Sequence, residues 1–444
     1  MRIVIVGAGE VGQHLAKLLS SEEQDIILVD KDESKLARID ANYNLMTRIG
    51  SPTSFDTLIE AGTPGADLFI AVTPFEAKNL TACAIAKSLG AKRTVARIDN
   101  YEYLKPDNRQ FFLNLGINDL IYPEYLAAME IRTALKRSWA RQWFELHKGE
   151  LILLGVKIRD NSILAGKRLR DLPTGRDIFH VSAITRKRQT IIPGGNDYIE
   201  DGDIVYFTTT SEHIDELKAI CGKADDRINN VMIMGGSRIA VRLATMLSKE
   251  YSIKIIENDP DKCRTLPEKC PNCQIICGDG RDNELLLEEG IEEMDAFIAL
   301  TDSSETNILG CLTAKESGVV KTVAEVENIQ FISQADALNI GTVINKKLLA
   351  SSKIFQILLA ADSESSKFLS LADAEVAELE VKQGAKVTRT AVKDLRLSRD
   401  MTIGGLVRDG KGMLVTGDTI IQPGDSVVVF CVSGVIHKIE RLFN

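Results

Sequence analysis

The residues with the clearest chemical prospect stand at the amino end. "RIVIVGAGEVG" places Gly7, Gly9 and Gly12 in a Gly-x-Gly-x-x-Gly array directly after an apolar run, and Asp30 follows at the end of the next such run. Alone the array is a weak pattern; between a predicted strand and a predicted helix, with an acid about 20 residues on, it becomes a dinucleotide fingerprint. Gly7 permits a tight turn, Gly9 lets backbone N–H groups approach a diphosphate, and Gly12 lets the helix sit close to the sheet. The exposed amides and the helix dipole then face an anion. Asp30 would accept hydrogen bonds from ribose hydroxyls and repel a 2′-phosphate, which favours NAD(H) or an adenine nucleotide over NADP(H). Ala8, Glu10 and Val11 complete the loop. Glu10 is unfavourable beside a phosphate unless it turns outward or meets a cation, and both remain open.

Further candidates lie where ligands sit in parallel sheets, beyond the carboxyl ends of the strands. Ser51 follows "TRIG", Thr73 and Pro74 end "DLFIAVT", and Arg97 lies in "TVARI". The Arg97 guanidinium could pair bidentately with phosphate or form a surface ion pair. A second loop, Gly235-Gly236-Ser237-Arg238-Ile239-Ala240, keeps the first glycine, has Ala for the third, and replaces the second with Ser, whose Cβ would crowd a diphosphate. Arg238 stands where the first copy has Glu10, Glu257 stands near the role of Asp30, and Glu325 replaces Arg97. Asp279 and Thr301 occupy the places of Ser51 and Thr73 (279 − 51 = 301 − 73 = 228). Nucleotide binding by this copy and a purely structural copy both stay open.

Metal and catalytic chemistry find little. Cys263, Cys270, Cys273 and Cys277 invite a zinc reading through their C-x2-C pair. The first copy has none of the four, and Cys277 aligns with Ile49 on a strand expected to be buried, so its side chain is expected in the core. No metal site is assigned. His14, His147, His180, His213 and His437 are scattered, and no nucleophile motif or Walker-type GK[ST] occurs, so no catalytic residue is assigned.

The elements that must position these residues repeat. The offset that carries Gly7 to Gly235 (228) also carries Gly50 to Gly278, Asp67 to Asp295, Asn79 to Asn307 and Ala96 to Ala324. Downstream, Asp171-Leu172 pairs with Asp394-Leu395 (394 − 171 = 223), and "EDGDIVYF" with "QPGDSVVVF", Asp203 against Asp425 (425 − 203 = 222). Short apolar runs alternate with amphipathic helical patterns in each leading segment, which predicts doubly wound parallel sheets. The trailing segments, with half-buried strands and Gly-rich turns, predict small α+β domains. The fold class is therefore α/β: Rossmann-like domains at 1–135 and 228–356, each followed by a small domain, at 143–224 and 374–444. The basic linker "IRTALKRSWARQWFELHK", with Trp139 and Trp143, is expected to be a helix packing apolar residues between domains.

Length and charge bound the partners. At 444 residues and 44% hydrophobic the chain can bury several cores. A net charge of -9 argues against broad attraction to nucleic acid or anionic lipid. With no leader pattern and no run approaching 18 apolar residues, the chain is expected to be cytoplasmic and to reach a membrane only through a protein partner. Eight cysteines, irregularly spaced, fit a reducing compartment.

The order "GAGEVG", Asp30, "ADLFIAVT", Asn79 and "ARI" resembles the KTN or RCK nucleotide-binding domain of potassium-transport regulators, and the segment with "EDGD" before a final apolar strand resembles the RCK C-terminal domain. Two tandem copies without a channel segment are similar, across the whole chain, to the regulatory subunits of Trk potassium-uptake systems. The resemblance implies a peripheral subunit on the cytoplasmic face of the inner membrane. It implies a tetrameric ring beneath a TrkH or TrkG translocator, binding NAD(H) and ATP or ADP. By position, the loop from Gly7 to Val11, Asp30, Thr73, Pro74 and Arg97 match the family's nucleotide contacts, and Ser237 departs from the family's glycine. An NAD-dependent oxidoreductase, or a free-standing sensor for another cation transporter, are the alternatives; the first lacks a general base and a substrate domain.

Overall fold

The computed structural model describes residues 1–20, 24–40, 43, 45–172, 178–187, 189–223, 227–362, 367–371, 374–395, 397–432 and 442–443. His437 and the domain ends drawn at 224 and 444 lie outside the described residues.

In chain order, the leading segment runs β1 (Arg2–Val6), α1 (Glu10–Ser20), β2 (Asp25–Asp30), α2 (Glu33–Asp40), β3 (Met46–Ile49), α3 (Phe55–Glu60), β4 (Leu68–Ala71), α4 (Glu76–Ser88), β5 (Arg93–Arg97), α5 (Pro106–Asn114), β6 (Asp119–Ile121) and α6 (Pro123–Lys136). Next come β7 (Gln142–Leu146), β8 (Leu151–Lys157), β9 (Phe179–Arg186), β10 (Gln189–Ile191), β11 (Ile204–Thr209) and α7 (Ile214–Ile220). The pattern then recurs as β12 (Asn230–Met234), α8 (Arg238–Leu247), β13 (Ser252–Glu257), α9 (Pro260–Lys269), β14 (Gln274–Cys277), α10 (Asn283–Glu288), β15 (Ala296–Ala299), α11 (Ser304–Glu316), β16 (Lys321–Glu325), α12 (Ile329–Ala337), β17 (Thr342–Ile344) and α13 (Lys346–Asp362). It closes with β18 (Lys367–Leu371), β19 (Ala374–Glu380), β20 (Met401–Arg408), β21 (Lys411–Leu414) and β22 (Ser426–Val432). Two compact units result, Met1–Arg132 with Asn229–Leu358 and Thr133–Ile228 with Leu359–Asn444.

The first unit holds two six-stranded sheets of one topology, β3-β2-β1-β4-β5-β6 and β14-β13-β12-β15-β16-β17. Ile3, Val4, Ile5 and Val6 are all fully buried, because helices cover both faces of a parallel sheet and no alternation survives. The strand order reverses between β1 and β4, and between β12 and β15, which opens a crevice at the carboxyl ends. The two domains share a core: α13 sends Ala350, Ile354 and Ile357 into the cluster built on Ile3, Ile5, Leu15 and Leu28 of the first domain. Cys277 is exposed, against the expectation that it is core. It ends the edge strand β14, and its counterpart Ile49 ends the edge strand β3 at 52% exposure, so each has one open side.

The second unit holds two five-stranded antiparallel sheets, β10-β9-β11-β8-β7 and β18-β19-β22-β20-β21. The Trp linker is not one helix. α6 stops at Lys136, and Gln142–Leu146 joins the sheet beside β8; Trp143 and Leu146, three residues apart, fall on its opposite faces, Trp143 with Leu154 and Phe207, Leu146 with Leu153 and Phe430. The repeated acidic turns are structural in both copies: Asp203 is clasped by Arg186 at 2.9 and 2.7 Å, and Asp425 by Arg408 at 2.8 and 2.7 Å. The two sheets approach so closely that a Cβ on Gly404 would lie 2.7 Å from Thr208 Oγ1, and one on Gly412 2.2 Å from the Glu150 carbonyl.

Candidate functional site

The first loop is shaped by its own strand ends. Gly7 adopts φ +107°, donates to Val29 O at 2.8 Å, and passes so close to β4 that a Cβ would meet Thr73 N at 2.9 Å. The Ala8 amide then donates to Asp30 Oδ2 at 2.6 Å, while Asp30 Oδ1 accepts from Asp32 N at 3.0 Å. The carboxylate is thus held at the end of β2 with lone pairs left on both oxygens. A Cβ on Gly9 would meet nothing within 4 Å, so the loop faces open space there. Gly12 serves a different contact from the one expected. Its Cβ would lie 1.9 Å from the Gly7 carbonyl, so it lets α1 start against its own loop.

The opposite wall is tied by Asn79, a residue the repeat marked but whose role the sequence did not show. Its Oδ1 accepts from Thr73 N at 3.0 Å and Thr73 Oγ1 at 2.6 Å; its Nδ2 donates to Thr73 O and Arg97 O, both at 2.9 Å. Thr73 is buried, Pro74 exposed, and Ser51 sits one residue past Gly50, whose amide donates to Asp30 O at 2.9 Å. Arg97 offers its carbonyl to Asn79, and its half-buried side chain forms no ion pair with a described residue. Val11, the second residue of α1, is buried in the core with Ile3 and Ile5. Glu10 meets a cation: its Oε2 lies 2.5 Å from Lys347 Nζ. Lys347 was not a candidate, being 337 residues away.

The second crevice repeats this frame. Gly236 N donates to Glu257 Oε2 at 2.7 Å and Asp259 N to Oε1 at 2.8 Å, which puts Glu257 in the structural place of Asp30 at an offset of 257 − 30 = 227. Asn307 ties Thr301 to Glu325 O as Asn79 ties Thr73 to Arg97. The cleft, of about 290 Å³, is lined by Gly235, Gly236, Ser237, Glu257, Asp279 and Thr301, together with Lys262 and Arg281, two cations that sequence reasoning missed. Ser237 caps α8, its Oγ accepting from Ala240 N at 3.4 Å, so one amide at this helix start is already engaged. Asp279 is paired with Arg281 at 2.6 Å, which holds its carboxyl below the ordinary range. Ile239 is buried, and Arg238 points away from the cleft, onto Asp99 at 2.9 Å and Glu124 at 3.3 Å. Burial pushes the Glu325 carboxyl up, opposed by Lys346 at 3.1 Å.

The four clustered thiols associate in pairs, Cys263 with Cys277 and Cys270 with Cys273, and burial drives the Cys263 thiol up to about 12. Among the described residues no group of three or more His, Cys, Asp or Glu side chains could hold a metal, and no helix is long and apolar enough to cross a membrane.

Comparison with known proteins fits this arrangement. The TrkA-N domain family matches residues 3–123 and 231–346, and the TrkA-C domain family residues 153–222 and 376–444. The chain is 32% identical over its whole length to the Trk system potassium uptake protein TrkA of Vibrio alginolyticus, covering 99% of that protein. It is 31% identical, with both chains fully covered, to a TrkA homolog of Archaeoglobus fulgidus. Among solved structures, the GsuK channel bound to NAD superposes with a TM-score of 0.61 at 16% identity, over 100% of this chain and 78% of that one.

Proposed function

Since the chain belongs to the TrkA family, we propose that it is the nucleotide-binding regulatory subunit of a Trk-type potassium uptake system, with NAD(H) or ATP/ADP as ligand. The observation that carries this is the first loop: open space over Gly9, an anchored Asp30 carboxylate beside it, and the start of α1 directly after it at the carboxyl end of a parallel sheet. That the GsuK channel, a protein of this fold, is described as bound to NAD supports the choice of ligand. Residues Gly7 to Gly12 would face the diphosphate, Asp30 the ribose, and Arg97, Thr73, Pro74 and Ser51 the rest of the crevice wall. The second cleft, with Ser237 and the cations Lys262 and Arg281, would take the same class of ligand less readily. Both crevices would belong to the leading domains, 1–135 and 228–356, and not to the trailing ones, 143–224 and 374–444. A ligand here supplies no bond-making chemistry; it supplies a difference in affinity between two states of the protein. Near-complete switching needs roughly 5.5 kcal/mol and one site gives about 1–3 kcal/mol, so several sites in a homo-oligomer, a tetramer under a TrkH- or TrkG-like translocator on the cytoplasmic face, meet the requirement.

The test is calorimetric titration of the full chain with NADH, ATP and ADP in turn, beside a pull-down from membranes. Asp30→Ala is expected to weaken binding about tenfold, near 1.4 kcal/mol, without loss of circular dichroism. Unchanged affinity sinks the site; turnover of NADH, or no potassium translocator in the pull-down, sinks the regulatory reading.

A further inference from the structure

Two ion-pair clusters join the Rossmann domains of the first unit at equivalent places and with opposite polarity. Glu10, the first residue of α1, meets Lys347, the second residue of α13, which also lies 2.9 Å from Glu327. Arg238, the first residue of α8, meets Asp99 and Glu124, the second residue of α6. Arg238 is the counterpart of Glu10 (238 − 10 = 228), and Glu327 of Asp99 (327 − 99 = 228). Lys347 is the counterpart of Glu124 (347 − 124 = 223), the offset that also relates the preceding strands β17 and β6 (342 − 119 = 223). Each helix start therefore reaches to the same point on the other domain. One carries a carboxylate to a lysine, the other a guanidinium to two carboxylates.

Like domains would clash through this face. Two first domains would bring Glu10 against Asp99 and Glu124, and two second domains would set Arg238 between Lys347, which repels it, and Glu327, which Lys347 already neutralises. Only the mixed pair attracts at both ends. Glu124 sharpens the choice, being 3% exposed with no hydrogen-bond partner for Oε2 among the described residues, while its Oε1 faces Arg238. Arg242 adds to it by lying 3.7 Å from the Tyr101 ring centroid, a contact that the counterparts His14 and Ile329 cannot make.

We infer that this face is a heterotypic lock: the first Rossmann domain accepts the second Rossmann domain of its own chain and rejects another copy of itself. The lock keeps a duplicated chain from joining its neighbours through like halves, and it rests on none of the nucleotide reading.

A zero-length carbodiimide joins a carboxylate to an amine only where the two touch. In the full-length protein, the peptide linking Glu10 to Lys347 is expected in the single-chain band of a denaturing gel; finding it in the double-chain band overturns the inference. The variant Glu124→Lys with Lys347→Glu keeps both helix starts and reverses both receivers, so attraction becomes homotypic. A link from Glu10 to the lysine placed at position 124 is then expected in the double-chain band, at least tenfold above background. Adding Glu10→Arg and Arg238→Glu should return the links to the single-chain band. A double variant whose links stay within one chain, or a quadruple variant that behaves like the double, overturns the lock. Should Glu124→Lys fail to fold, Glu10→Lys alone is expected to lower the thermal midpoint by several degrees and Lys347→Glu to restore it; no restoration overturns it equally.

Discussion

At the scale of single residues, Asn79 and Asn307 hold the crevices together. Each spends its whole amide on one turn and the end of the neighbouring strand, with almost no solvent reaching it. Asn79→Ala removes those bonds and leaves the Thr73 amide without its acceptor, so a loss of ~2–4 kcal/mol is expected, read as a lowered urea midpoint with unchanged slope. Asn307→Ala should cost a similar amount. Gly7, Asp30 and Thr73 were legible in the sequence because the tight turn and the acid ending β2 are local patterns. Asn79 showed only as a repeated position, since its bonds cross to Arg97 on another strand. Lys347 and Glu124 had no local signal at all, because the pairs they form depend on how two domains meet.

At the scale of elements, the two loop-to-helix junctions carry one methyl group more or less at the third glycine position, Gly12 against Ala240. Gly12→Ala places a Cβ against the Gly7 carbonyl and must shift α1, at ~1–3 kcal/mol. In the second copy Ala240 is native and buried, so Ala240→Gly should cost only ~1 kcal/mol of helix propensity. Thermal midpoints of the two variants check the contrast. The strands of both parallel sheets were readable as unbroken apolar runs, and the acidic turns as repeated Asp203 and Asp425. Two readings failed for reasons of neighbourhood. Cys277 looks buried in a one-dimensional alignment, yet β14 has no strand beyond it. The stretch after Lys136 keeps its helical look until β8 supplies the edge on which Gln142–Leu146 pairs.

At the scale of the whole molecule, the small domains carry a pH response of their own. His180 on β9 meets Thr402 on β20 at 3.1 Å, and these are equivalent positions (402 − 180 = 222). Burial pushes the His180 pKa down to about 4, against a hydrogen bond to the Val415 carbonyl. The folded state therefore holds this ring neutral. Its contribution is complete above about pH 6.5 and is lost as pH falls from there through 4, up to ~3 kcal/mol, because the unfolded chain takes the proton first. His180→Gln is expected to flatten that part of the stability curve, measured by urea unfolding between pH 7.5 and 4.5. The shared core of the first unit bears on how the protein is made. Ile354 and Ile357 belong beneath the first sheet, yet 357 − 132 = 225 residues follow Arg132 before the last of them leaves the ribosome. At about 5–20 residues per second the nascent chain waits roughly 11–45 s with that surface uncovered. Over that interval the apolar underside of the half-made domain stays open to other nascent chains on the polysome.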